Sequence, residues 1–274
     1  MSTALPLLVK RGLQSLLMSR WMLGYVVVFT SLSLTFSYLG ILGLGTVGFR
    51  AFSGALAAVI NLNLYAVPLI SIITASFSIV AEREHGTLEF QLSLPITRSE
   101  FFAAKAIAIM LAISLATMLG YGLAGWYLML VLTDADLLIF MNILASSLLM
   151  VFSFVGLGML ISAVTGNRFT ALALSIAVWM FFSLIYEMLL MVSVILFRLS
   201  ATDLWILMTL NPLEASRLVM IYSVDPSMSF LGELGNFLIR EMGDIFLYPL
   251  IAVPLGYGFL GLILGLNHFR RSEL

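Results

Sequence analysis

The chain has no cysteine and only two histidines, His85 and His268. A disulfide framework, a thiolate metal site and a cysteine nucleophile are therefore excluded. Lysine is equally scarce. Lys10 follows Val9 and Lys105 follows Ala104, so the Gly-Lys-Ser/Thr turn that cradles nucleotide phosphates is absent. The histidines lack the His-Glu-x-x-His spacing of a hydrolytic zinc site, and neither lies within a long apolar run, where a protease in the membrane would need one. No catalytic residue, metal ligand set or cofactor is expected in this chain. Any ATP and Mg that drive it are bound by another polypeptide.

Charge is the next shortage. Charged residues make up 10% of 274 positions, whereas 62% are hydrophobic, with a mean hydropathy of +1.12. A soluble domain carries about 25% charged residues. The surplus apolar surface exceeds what one soluble core of this length can hide, so lipid is the expected solvent for much of it.

Six runs are long enough to cross a bilayer as helices: residues 21–44, 56–81, 106–132, 137–164, 169–197 and 245–266. Their only charged residue is Glu187. It lies roughly 27 Å along the fifth run at 1.5 Å per residue, near one interface. A structural role facing the bundle or the interface suits it better than a substrate site. With the N-terminus inside, nine basic residues fall on the cytoplasmic side (Lys10, Arg11, Arg20, Arg83, Arg98, Lys105, Arg168, Arg270, Arg271). Four fall outside (Arg50, Arg198, Arg217, Arg240). This asymmetry predicts a multi-pass protein of the inner membrane with both termini cytoplasmic. No repeat or linker divides it, so 1–274 reads as a single domain.

Two amphipathic segments flank the spans. Leu5, Leu8, Val9, Leu13, Leu16 and Leu17 share a face opposite Lys10, Arg11, Gln14 and Ser15, as in a helix lying in the cytoplasmic interface. Outside, between spans five and six, Leu204–Leu210 and Leu218–Tyr222 are too short to span and read as re-entrant or interfacial. Asp225 and Pro226 read as the cap and first residue of a further helix, with Phe230, Leu231, Leu234, Phe237 and Leu238 as its apolar stripe. Gly261/Gly265 and Gly120/Ala124 are small-xxx-small pairs that let helices approach closely, within the subunit or across a dimer. Sixteen methionines invite a Cu(I) reading, but flexible apolar filling explains them more simply.

The segment between spans two and three concentrates the charge: Glu82, Arg83, Glu84, His85, Glu89, Arg98, Glu100 and Lys105. Gly86 and Thr87 break the preceding helix and start a short one, with Leu88 and Leu92 on its apolar side. Pro95 stops it, and Thr97 and Glu100 form a capping box for the next span. A short capped helix between two apolar spans is a lever rather than a loop.

Glu82, Glu84, Gly86, Thr87, Leu88 and Glu89, followed by Leu94-Pro95-Ile96-Thr97-Arg98 and then Lys105, resemble the signature of the ABC-2 permeases. Ala104 stands where that family usually has glycine before the lysine. The resemblance implies an all-α membrane protein in which Glu82, Glu84, Gly86, Thr87, Leu88, Glu89, Leu92 and Arg98 form a coupling region. This region would meet a cytoplasmic ABC ATPase, with two ATPase copies serving two copies of this chain. A narrower resemblance rests on length, Asn211-Pro212-x4-Arg217 and the tail Phe269–Leu274. It is to the permeases of the nitrous oxide reductase maturation system and implies a periplasmic copper-handling partner. Asn211, Pro212, Glu214 and Arg217 are then the candidate outer partner surface. The rival expectations are an exporter of a lipid, drug or other hydrophobic molecule, and a membrane anchor or scaffold that works without ATP. No nucleic acid partner is expected.

Overall fold

A computed structural model describes residues 4–42, 49–93, 95–131 and 137–271, and every regular element among them is helical. The elements are α1 (Ala4–Leu17), α2 (Arg20–Leu42), α3 (Phe49–Glu84), α4 (Thr87–Leu92), α5 (Arg98–Val131), α6 (Leu137–Val164), α7 (Arg168–Met180) and α8 (Tyr186–Phe197). They continue with α9 (Ala201–Leu210), α10 (Pro212–Val224), α11 (Glu233–Phe237) and α12 (Leu247–Arg271). Residues 43, 44, 94, 132 and 272–274, which belong to the expected spans and motifs, lie outside the described residues.

Six helical segments are long and apolar enough to cross a membrane: Arg20–Leu39, Ala57–Glu84, Arg98–Leu130, Leu137–Val164, Arg168–Phe197 and Glu233–Arg271. They coincide with the six expected runs. Helix is the only open-ended way for such runs to satisfy their backbone groups in lipid. The fifth is α7 and α8 joined through a π turn at Phe181–Ile185. Charged ends extend two helices beyond their apolar runs: α3 continues to Glu84, and α5 begins at Arg98.

Helix α6 is the axis of the bundle, packed against α3, α5, α10 and α12. Its crossing with α12 depends on glycine. A Cβ at Gly261 would lie 2.4 Å from the Gly156 backbone, and one at Gly156 would lie 2.3 Å from the Gly258 carbonyl oxygen. The small residues of span six therefore pack within this chain. Gly120 is pressed just as closely by Phe29. An edge-to-face series, Phe29–Tyr121–Phe140, joins α2, α5 and α6 at centroid distances of 5.4 and 6.0 Å.

At the end remote from the termini, α9 and α10 form a hairpin bent by 114°. Asn211 makes the corner. Its Oδ1 accepts from the Leu213 amide at 2.9 Å, Pro212 occupies the first turn of α10, and its Nδ2 donates to the Phe182 carbonyl in the π turn at 2.8 Å. The expected helix beginning at Pro226 is not continuous. Asp225 ends α10, and its carboxylate accepts from the Ser227 and Ser229 amides at 3.0 and 2.8 Å, which folds a turn. A 3-10 turn at Ser229–Leu231, a break at Gly232 (φ 56°), α11 and a π turn at Leu238–Met242 follow. Sidedness survives the breaks: Leu234 and Leu238 are buried, whereas Glu233, Asn236 and Arg240 are exposed. Period alone predicted the face, but the glycine at 232 and the Asx turn decide continuity.

Candidate functional site: a clamped elbow between α3 and α5

Helix α3 ends in a reversal at Gly86, whose φ of 66° belongs to the left-handed region that glycine enters without strain. Six residues of α4 follow, closed by the Ser93 amide on the Glu89 carbonyl (3.0 Å) and the Ser93 hydroxyl on the Phe90 carbonyl (2.7 Å). The capping box expected at the start of α5 is present. The Thr97 amide donates to Glu100 Oε2 at 3.0 Å, and the Glu100 amide donates to Thr97 Oγ1 at 3.2 Å.

Leu88 is 2% exposed and part of the bundle core, and Leu92 packs against that core. The apolar side of α4 thus anchors it to its own spans. What α4 offers outward is Glu89 and Phe90, the latter 72% exposed. Phe90 escapes a reading by helical period because it lies two residues from Leu88. A large aromatic on the polar side of a six-residue helix was nevertheless a visible signal.

Ionic contacts fix the elbow on three sides. Lys105 of α5 pairs with Glu82 of α3 beneath the turn, both largely withdrawn from solvent. Arg83 donates to the Thr165 carbonyl at the end of α6 (2.6 Å). Glu84 takes the Arg168 amide at 2.7 Å and the Arg168 guanidinium at 3.2 Å, and Arg168 Nη2 lies 2.6 Å from His85 Nε2. Glu84 thereby sits at the N-terminus of α7, where the helix dipole favours a carboxylate. On the far side, Arg98 donates to the Phe269 and Arg270 carbonyls (3.3 and 3.2 Å), and Arg270 returns a bond to Ser99 (2.7 Å). A cation there complements the C-terminal end of α12. The residues expected as a coupling region are thus gathered at the end of the bundle that carries α1 and the C-terminal turn of α12. Thr87 adds a bond to the Glu82 carbonyl at 3.3 Å. Arg83, Thr165 and Arg168 are the additions, the last two joined to the site only by folding.

The second candidate group is placed differently. Asn211, Pro212 and Glu214 are buried and form no outer surface. Arg217 is one-third exposed and bridges two carboxylates, Glu187 of α8 at 2.9 Å and Glu214 at 3.3 Å. The lone carboxylate of span five therefore has a cation, which ties α8 to the α9–α10 hairpin. Among the described residues no group of three or more His, Asp or Glu side chains is placed to hold a metal.

An all-helical bundle of six candidate spans with a short clamped helix between the second and third is the architecture of a polytopic membrane protein. The sequence matches the family described as ABC-2 family transporter protein over residues 7–260, and the chain belongs to that family. It is 29% identical over 215 residues to a probable ABC transporter permease protein NosY of Pseudomonas aeruginosa, covering 76% of this chain and 78% of that one. It is 27% identical over 231 residues to its namesake in Stutzerimonas stutzeri, covering 82% and 84%. The chain is a NosY-like, multi-pass membrane permease subunit. ABC-2 permeases pair with a cytoplasmic ATPase and form dimers.

Proposed function

We propose that this chain is the non-catalytic half of an ABC transporter and that α4 receives the stroke of a separate cytoplasmic ATPase. The reading is carried by one observation: α4 buries Leu88 in the bundle core while Glu89 and Phe90 are exposed. Force applied to α4 passes to α6 and α7 through Arg83 and Arg168, and to α12 through Arg98. Two such subunits with two ATPases make the working unit. In keeping with the NosY likeness, its output is work on a periplasmic copper-handling protein during copper-site maturation of nitrous oxide reductase. The docking face for that partner is then the exposed side of the segment from Glu233 to Arg240, since Asn211, Pro212 and Glu214 are buried.

The test is purification of the tagged chain from its native membrane in mild detergent, with identification of the bound chains. Co-purification of an ATPase and of an extracytoplasmic copper protein is the expected result. Recovery without an ATPase refutes the coupling role. An ATPase without a periplasmic partner, together with export of a hydrophobic compound, replaces maturation by export.

A further inference from the structure

Two adjoining cavities open between α1, α3 and α5 at the end of the bundle that carries the termini, and they share Gly12, Ser15, Glu82 and Lys105 as lining residues. The smaller, about 360 Å³, is the more polar of the two, bounded by Arg11, Thr87 and Gln91 as well as by Leu8, Ile96 and the exposed Phe90. The larger, about 510 Å³, runs along Leu16, Trp21, Phe77 and Ile109 and is mostly apolar. A cavity of mixed polarity adjoining a more apolar groove suits an amphiphile. Its roof, α1, is an amphipathic helix of the kind that lies at a bilayer surface, and Trp21 is a residue type enriched at that depth.

Three groups in this bipartite space are unused. Arg11 has neither an ion pair nor a hydrogen bond among the described residues. Glu82 gives Oε1 to Lys105, but its Oε2 is enclosed and has no partner. Thr74, 9% exposed, lines the apolar groove with a hydroxyl that has no partner either. A buried acceptor and a buried hydroxyl without partners are costly unless something outside the chain completes them.

We infer that these cavities form a binding site for one membrane phospholipid whose headgroup carries a hydrogen-bond donor. Its phosphate lies against Arg11, and its ammonium or hydroxyl donates to Glu82 Oε2. The Thr74 hydroxyl meets a glycerol-ester carbonyl, and an acyl chain fills the groove beside Phe77 and Ile109. Phosphatidylethanolamine and phosphatidylglycerol both meet this description. Phosphatidylcholine does not, because its quaternary ammonium has no N–H. The headgroup then touches Thr87 and Gln91 of α4, so an occupied site braces the elbow from the side opposite Arg168.

The test is lipid retention per chain, counted by native mass spectrometry after delipidation and incubation with phosphatidylethanolamine, phosphatidylglycerol or phosphatidylcholine. The wild-type chain should retain the first two about tenfold more strongly than the third, the scale of one charge-assisted hydrogen bond. Arg11→Gln should weaken both by a similar factor, whereas Lys10→Gln, which lines neither cavity, should change nothing. Thr74→Val should lower retention while leaving the melting temperature of the delipidated protein unchanged, because no bond within the chain is lost. Equal retention of all three lipids, no retention of any, or an Arg11→Gln chain that behaves as wild type would each overturn the assignment.

Discussion

Leu88 and Phe90 stand two residues apart on α4 and separate anchoring from docking. Truncating Leu88 to alanine removes a side chain that is 2% exposed and empties part of the bundle core. Large-to-small changes at such sites cost about 2–5 kcal/mol, and here the loss falls on the local stability of a six-residue helix. Truncating Phe90, 72% exposed, removes almost nothing from the free subunit. If Phe90 is an aromatic anchor in a cleft of the ATPase, Phe90→Ala costs about 2 kcal/mol of binding, roughly thirtyfold in affinity. The assay is titration of the detergent-solubilised permease with its ATPase chain, alongside thermal unfolding of the permease alone. Leu88→Ala should lower the melting temperature and weaken binding together. Phe90→Ala should weaken binding at unchanged melting temperature. A Phe90→Ala chain that binds within about threefold of wild type would remove α4's exposed face from the interface and the lever with it.

Arg168→Ala breaks an exposed pair with Glu84 and should cost less than about 1 kcal/mol of stability, yet uncouple ATP hydrolysis from work at the far side; normal coupling would place force transfer elsewhere. Because the chain has no cysteine, Ser93→Cys and Ser227→Cys, both at exposed positions, should react with membrane-impermeant maleimide from opposite sides, Ser93→Cys only after permeabilisation of the cell. Labelling of both from one side would discard the six-span path. Partial burial pushes the Asp225 carboxyl up, but hydrogen bonds from Ser227 and Ser229 outweigh it and hold the group below its ordinary value. Its contribution is therefore full above the unfolded carboxylate range and is lost as pH falls through the folded value. Asp225→Ala should destabilise the loop by about 1 kcal/mol at neutral pH and by progressively less in acid, as read by hydrogen exchange of the Ser227 and Ser229 amides.

The spans were legible because lipid imposes a simple demand: about 20 residues with few charges and every backbone group satisfied within the helix. The elbow was legible for a second reason. Gly86 needs a left-handed φ, and Thr97 and Glu100 bond three residues apart, so both signals are local. Long-range partners had no such signature. Arg168 counts in the sequence only as one more basic residue near a helix end, and it reaches Glu84 because α7 folds back beside α3. The same holds for Glu187, which meets Arg217 across 30 positions of chain.

Burial of the Asn211 corner was equally out of reach of pattern. Asparagine before proline reads as an exposed turn, since a turn usually lies on the surface. Here the two short helices on either side of it pack against α6, α8 and α12 and bury it. Its amide then finds the Phe182 carbonyl where the π turn interrupts span five. The corner and the interruption sit together, with Arg217 and its two carboxylates beside them. The Asn211 corner, expected as a surface for an outside partner, is therefore an internal joint. It fixes the α9–α10 hairpin to α8, and α7, on the other side of the π turn, carries the Arg168 that pairs with Glu84 at the elbow.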